Sequence, residues 1–160
     1  SVRILRLWRP DQETLRRLEP VVGAALPTTP NTTAGAATRL LWMGPGEWAL
    51  IGGDTALDQR IASACGEALH HLADVTDGRA ILLIEGDDAP DLMAKGCSLD
   101  FHPRAFPGGT CAQSLFAQLR VLIERPSDAP AFRVIVDRTY LAHLRAWLQS
   151  AAAEFLDPSA

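Results

Sequence analysis

A chain of 160 residues with 48% hydrophobic and 21% charged side chains has the means to bury a core and is not a disordered polymer. Its net charge of −4, with the 15 Lys and Arg scattered along the chain, excludes the basic footprint of a nucleic-acid binder. No apolar run approaches the ~20 residues that span a bilayer, and the polar–apolar alternation of Ser1–Trp8 is unlike a secretion signal.

Val2–Arg9 carries apolar residues on both faces and predicts a mostly buried strand. Asp11 is placed to cap a short helix with Leu15 and Leu18 on its apolar stripe. Pro20 is expected to stop that helix, because proline lacks the donor a helix interior needs. Residues 23–37 hold Pro, Gly and four Thr and read as a long surface loop. A hairpin follows, with strands Arg39–Met43 and Glu47–Ile51 joined by Gly44-Pro45-Gly46. Asp54 then caps a helix with Leu57, Ile61, Ala64 or Cys65, and Ala68 or Leu69 on one face, and His71–Val75 reads as another strand. Strand, helix, strand, strand, helix, strand is the split βαβ pattern of a ferredoxin-like unit.

The second half starts the pattern again with the Ile- and Leu-rich strand Arg79–Glu85. Asp87 as cap, Asp88 and Asp91 near the positive end, Pro90 in the first turn and Gly96 as a left-handed stop predict a helix. Cys97–Gly109 is a loop with two prolines and two glycines. Thr110–Phe116 and Arg120–Glu124 predict a hairpin, Phe132–Val136 a further strand, and Leu144, Leu148 and Phe155 sit at the spacing of a final helix. The fold class is therefore α+β: two ferredoxin-like βαββαβ-type halves, about 1–76 and 77–160, in one compact domain over 1–160.

The side chains able to carry chemistry have bland readings that outweigh the catalytic ones. The three cysteines, Cys65, Cys97 and Cys111, are an odd count that suits reduced thiols in a cytoplasm. Cys97, His102 and Cys111 have the spacing C-x4-H-x8-C, which matches no standard zinc arrangement and lacks a fourth ligand. Cys97 also follows a helix C-terminus, whose negative end disfavours a thiolate. His70 and His71 sit at a helix-to-strand junction with no local nucleophile, which favours a capping role. His143, one turn from Trp147, reads as a surface stacking pair. Arg79 could receive a substrate carboxylate, but a turn at Asp77-Gly78 closed by an Asp74–Arg79 pair is favoured. Glu85, Asp87, Asp88 and Asp91 read as a solvated helix N-terminus. No glycine-rich phosphate cradle follows a strand. Four tryptophans in a chain of this size suggest a protein partner.

Leu92–Gln113 is the most distinctive stretch, with Lys95-Gly96-Cys97, Asp100, His102-Pro103-Arg104, Phe106, Gly109 and Cys111-Ala112-Gln113. It resembles the signature of the gamma subunit family of heterotetrameric sarcosine oxidase. Gly44-Pro45-Gly46-Glu47-Trp48, Asp74–Arg79 and the tail through Tyr140, Trp147 and Glu154-Phe155 are similar to that family as well. The resemblance implies a single aminomethyltransferase-like domain and a non-catalytic subunit in the cytoplasm. Its partners would be alpha, beta and delta subunits, chiefly the large alpha subunit. The assembly would demethylate sarcosine to glycine, with one-carbon transfer to tetrahydrofolate or release of formaldehyde, and form hydrogen peroxide. FAD, FMN, NAD and tetrahydrofolate would sit on other subunits and none on this chain.

Where aminomethyltransferases carry a catalytic acidic pair, this chain has Phe116-Ala117-Gln118-Leu119-Arg120-Val121, with no carboxylate to deprotonate an amine intermediate. The expected partner surface is the loop bearing Cys97, Asp100, Phe101, His102, Arg104 and Phe106, on the argument that Phe101 and Phe106 are costly in water unless covered. The competing readings are a stand-alone folate-binding one-carbon transferase and an assembly factor for flavin or iron–sulfur enzymes.

Overall fold

The computed structural model describes residues 1–156. The chain divides into two compact units, Ser1–Thr76 and a second that begins at Asp77. No helix among the described residues is long and apolar enough to cross a membrane.

The first unit contains β1 (Val2–Leu7), α1 (Gln12–Val22), β2 (Thr33–Ala34), β3 (Thr38–Gly44), β4 (Glu47–Gly52), α2 (Leu57–Cys65) and β5 (His70–Asp74). Its strands form one antiparallel sheet in the order β2-β3-β4-β1-β5. Leu5 and Leu7 of β1, Leu40 of β3, and Trp48 and Leu50 of β4 bury one sheet face against Leu18 and Val22 of α1 and Leu57, Ile61 and Cys65 of α2. Each buried Leu or Ile contributes about 1.5–3 kcal/mol of transfer free energy. The helical spacing of 18 and 22, and of 57, 61 and 65, makes these stripes.

Asp11 caps α1 as expected, its Oδ1 accepting from Thr14 N at 2.7 Å. Pro20 does not stop the helix, which runs on to Val22 and ends at Gly23 with φ +86°. A proline this near the C-terminus forfeits a single ladder bond, and Gly23 N–H closes the end on Glu19 O at 2.9 Å. The long loop expected over 23–37 holds the short edge strand β2 and is pinned by Trp48, whose Nε1 donates to Pro27 O at 2.7 Å inside the core.

The second unit contains β6 (Arg79–Glu85), α3 (Ala89–Gly96), β7 (Thr110–Phe116), β8 (Leu119–Arg125), β9 (Ala131–Asp137) and α4 (Leu141–Ala152). Its antiparallel sheet has the order β6-β9-β8-β7. The expected elements are present, but they do not make a second βαββαβ unit. Residues 126–130 link β8 to β9 directly, as a hairpin-length connection does, so no crossover helix separates them and α4 comes last. The inner face buries Ala80, Ile84, Ala112, Phe116, Val121, Ile123, Phe132, Val134 and Val136 with Met93 of α3 and Leu144 of α4.

Three local expectations for this unit are corrected. Gly96 is the last residue of α3, and the extended Cys97 (φ −139°) ends the helix, so no left-handed stop is used. A Cβ on Gly96 would lie 2.7 Å from Trp147 Cη2 and 2.8 Å from Phe116 Cε2, so this glycine answers to close packing. Asp87 does not cap α3: the N-cap is Asp88, and no side chain bonds there. Arg79 pairs with Asp137 at 3.0 Å across β6 and β9, while Asp74 accepts from Thr76 N and Oγ1. Asp77-Gly78 lies in a 3-10 turn, with no special backbone angle at Gly78.

Hydrogen bonds from Thr14, Thr76 and Thr139 hold the Asp11, Asp74 and Asp137 carboxyls below the ordinary value of 3.8. A carboxyl depressed by folding stabilises the protein fully above its unfolded value, and that contribution fades as pH falls through the folded value. Thermal midpoints are therefore expected to fall as pH drops below about 4. Asp137→Asn should start lower at pH 6 and lose less between pH 5 and pH 2.5. An equal loss in both proteins would remove Asp137 from the acid transition.

Candidate subunit interface

Cys97–Gly109 leaves α3 and returns to β7, and its two phenylalanines turn inward. Phe101 and Phe106 are only 3% and 6% exposed. Phe101 meets Phe106 edge-on at 5.6 Å between centroids and Phe132 of β9 at 5.2 Å. The premise that Phe101 and Phe106 present an apolar surface is therefore overturned. Both sit in the core of their own unit, in the edge-to-face geometry aromatic rings favour. Cys97 is buried as well, its Sγ 3.4 Å from Ser114 Oγ.

The polar residues of the motif stand outside. Asp100, His102 and Arg104 are exposed. Asp100 Oδ1 accepts from His102 N at 2.9 Å, and His102 Nδ1 accepts from Arg104 N at 3.2 Å. His102 O accepts from both Ala105 N and Phe106 N at 2.9 Å. Asp100 and His102 thus fold the loop with their own atoms, as short polar side chains do in turns. Arg104 is left with its guanidinium in solvent.

The loop is held from behind by Arg125, which sequence reasoning passed over. Arg125 ends β8 and is 2% exposed. Its Nη1 donates to Phe106 O and its Nη2 to Asp128 O, each at 2.9 Å, and its guanidinium carbon lies 5.6 Å from the Phe132 centroid. Nothing in the sequence marks it, because a basic residue at a strand end normally reads as solvated.

Beside the loop, the β7–β8 turn places Ala117 (φ +49°) and Gln118 (φ +66°) in the left-handed region. This is the two-residue hairpin geometry that glycine or asparagine usually supplies. Lys95, Gly96, Gln118, His143 and Trp147 are among the residues around an open recess of about 540 Å³ there; no carboxylate of the described residues lines it, and Lys95 Nζ pairs with Glu154 Oε1 at 2.6 Å. Trp147 packs edge-on against Phe116 at 5.2 Å, so its ring partner is Phe116 and His143 stays exposed at the rim. His70 Nδ1 donates to Ala68 O at 2.9 Å, just past α2. Among the described residues no three His, Cys, Asp or Glu side chains gather as a metal would require, and Cys97, His102 and Cys111 are not brought together.

Comparison with known proteins agrees over nearly the whole length. Residues 15–154 match the model of the "Sarcosine oxidase, gamma subunit family". The chain is 30% identical over 141 residues to a sarcosine oxidase subunit gamma of Corynebacterium sp. (strain P-1), covering 86% of this chain and 69% of the relative. It is 30% identical over 145 residues to a sarcosine oxidase subunit gamma of Arthrobacter sp., covering 89% and 71%. Among solved structures it superposes on a chain of the heterotetrameric sarcosine oxidase from Corynebacterium sp. U-96, determined in complex with pyrrole 2-carboxylate. The TM-score is 0.88 at 26% identity, over 98% of this chain and 81% of that one. The chain belongs to the sarcosine oxidase gamma subunit family.

Proposed function

We propose that this chain is the non-catalytic structural subunit of a heterotetrameric sarcosine oxidase in the cytoplasm, seated on alpha, beta and delta partners and chiefly on the large alpha subunit. The assembly demethylates sarcosine to glycine, passes the one-carbon unit to tetrahydrofolate or releases formaldehyde, and forms hydrogen peroxide. FAD, FMN, NAD and tetrahydrofolate belong to the other subunits. The likeness over 98% of the chain to a subunit of such a heterotetramer carries this reading. The stretch Phe116-Ala117-Gln118-Leu119-Arg120-Val121, which holds no carboxylate where aminomethyltransferases carry an acidic pair, supports the non-catalytic part. In the same reading the first unit, with β1 between β4 and β5, is a ferredoxin-like half, and the two units derive from an aminomethyltransferase-like fold.

The motif loop contributes to the partner surface through its polar tips. Cys97, Phe101 and Phe106 shape it from inside, while Asp100, His102 and above all Arg104 face outward. Co-expression with the remaining oxidase subunits tests the assignment: a stoichiometric complex should copurify. A chain that purifies alone and binds tetrahydrofolate tightly would sink it. Within the complex, Arg104→Ala is expected to weaken association about tenfold at an unchanged melting temperature, the loss of one charged interfacial contact. Titration by surface plasmon resonance reads this directly.

A further inference from the structure

The first unit carries an exposed apolar pair that its own core leaves uncovered. Trp8 is 69% exposed and Leu69 is 70% exposed. They are neighbours, because the β1–β5 pairing of Leu7 with His70 continues one step and Trp8 N–H donates to Leu69 O at 3.0 Å. A lone exposed leucine needs no explanation, but a tryptophan and a leucine side by side cost free energy in water unless something covers them.

The corner is also rigid. Leu7 N–H donates to Gly46 O at 2.8 Å, and the Asp11 cap of α1 begins two residues after Arg9. Arg9 itself is held at φ +47°, a conformation that costs a non-glycine residue about 1–2 kcal/mol. That conformation accompanies a guanidinium carbon 5.8 Å from the Trp8 centroid. None of the ion pairs among the described residues takes Arg9. A preorganised Trp–Arg–Leu set, its arginine exposed, set against the Trp8 ring and in no described ion pair, has the composition of a protein–protein anchor, in which tryptophan and arginine dominate.

We propose that the Trp8–Arg9–Leu69 corner anchors this chain on another subunit of the oxidase, inserting Trp8 and Leu69 into an apolar pocket whose rim supplies a carboxylate to Arg9. The inference rests on the assembly reading above and adds a contact remote in sequence from the Cys97–Gly109 loop. The occupant is a folded protein surface, because a rigid corner selects a preformed pocket, and a carboxylate on its rim is the complement to the exposed Arg9 guanidinium.

The test compares wild type, the Trp8→Ala/Leu69→Ser double variant and Arg9→Glu, each co-expressed with the remaining oxidase subunits. Both sites are solvent-exposed, so circular dichroism spectra should match wild type. The double variant is expected to bind roughly 30-fold more weakly. Arg9→Glu is expected to associate about tenfold more slowly at low salt and to lose the salt dependence of its on-rate. If the double variant does not fold, Arg9→Glu decides alone. A wild-type complex that forms while the folded variants stay within threefold of its affinity overturns the anchor and leaves the assembly reading standing. Failure of wild type itself to form the complex overturns both.

Discussion

Arg125→Met is expected to lower the stability of the second unit by about 3 kcal/mol, because it strips the buried Phe106 carbonyl and the half-buried Asp128 carbonyl of a charged donor. The Nη1 and Nη2 bonds to Phe106 O and Asp128 O tie the Cys97–Gly109 loop and the β8–β9 turn to one guanidinium. Two further bonds reinforce this tie. Arg125 O accepts from Gly109 N at 2.8 Å, and Asp128 Oδ1 accepts from Gly108 N at 2.9 Å. No described ion pair includes Arg125, so carbonyl dipoles and the Phe132 ring face compensate its charge, and its Nε has no partner. That orphan donor reduces the net value of the site, which is why the expected loss stays at the lower end for a buried charged network. Methionine restores apolar volume against Phe132 but bonds to neither carbonyl. Lysine keeps the charge on a single nitrogen that lacks the guanidinium's fork, so Arg125→Lys should recover less than half of the loss. Urea denaturation followed by hydrogen exchange at the β8 and β9 amides reads the effect in the right unit. An unchanged midpoint in Arg125→Met would mean that the loop is held by its own turns and the phenylalanine cluster alone.

What the sequence made legible was local. The Asp11 cap, the Leu57–Ile61–Cys65 stripe and the strand content of both halves depend on neighbours within a few residues, and periodicity reports those. What it hid was pairing at a distance. Phe101 and Phe106 looked exposed because the groups that bury them, Phe132 and Arg125, lie some twenty to thirty positions later in the chain. Asp74 looked like the partner of Arg79 because it is near in sequence, yet β6 and β9 are adjacent strands and bring Asp137 opposite Arg79. The second sheet departed from the expected order for a related reason. Strand identity is written in alternation, but the order is decided by a five-residue link too short for a helix. The motif loop was visible as a pattern, and Asp100, His102 and Arg104 are the residues of it that stand in solvent. Which of its side chains face a partner depends on burial, and burial is a property of the whole unit.

Gly96→Ala sets two local rules against each other, and their magnitudes decide the outcome. Alanine in place of glycine inside a helix normally gains about 1 kcal/mol. At the last residue of α3, where one flank is already non-helical, less of that gain is available. Against it stands overpacking: the new methyl would lie 2.7 Å from Trp147 Cη2, 2.8 Å from Phe116 Cε2 and 3.1 Å from Phe116 Cδ2. Forcing a methyl into a packed core costs typically about 1–3 kcal/mol, and neither ring can swing freely. Phe116 is fully buried, and Trp147 meets it edge-on at 5.2 Å. Nor can the backbone retreat cheaply, because Gly96 O accepts from Ala117 N at 2.8 Å and helps hold the left-handed hairpin turn. The net effect is expected to be a loss of about 2 kcal/mol, a melting temperature several degrees lower, and a weakened near-ultraviolet signal from Trp147. Trp147→Phe removes the benzo ring that carries Cη2, so Gly96→Ala should cost less in that background, a coupling of about 1 kcal/mol in a double-mutant cycle. A rise in melting temperature for Gly96→Ala alone would mean that Trp147 and Phe116 yield more easily than their packing implies, and that the glycine there answers to nothing but the end of a helix.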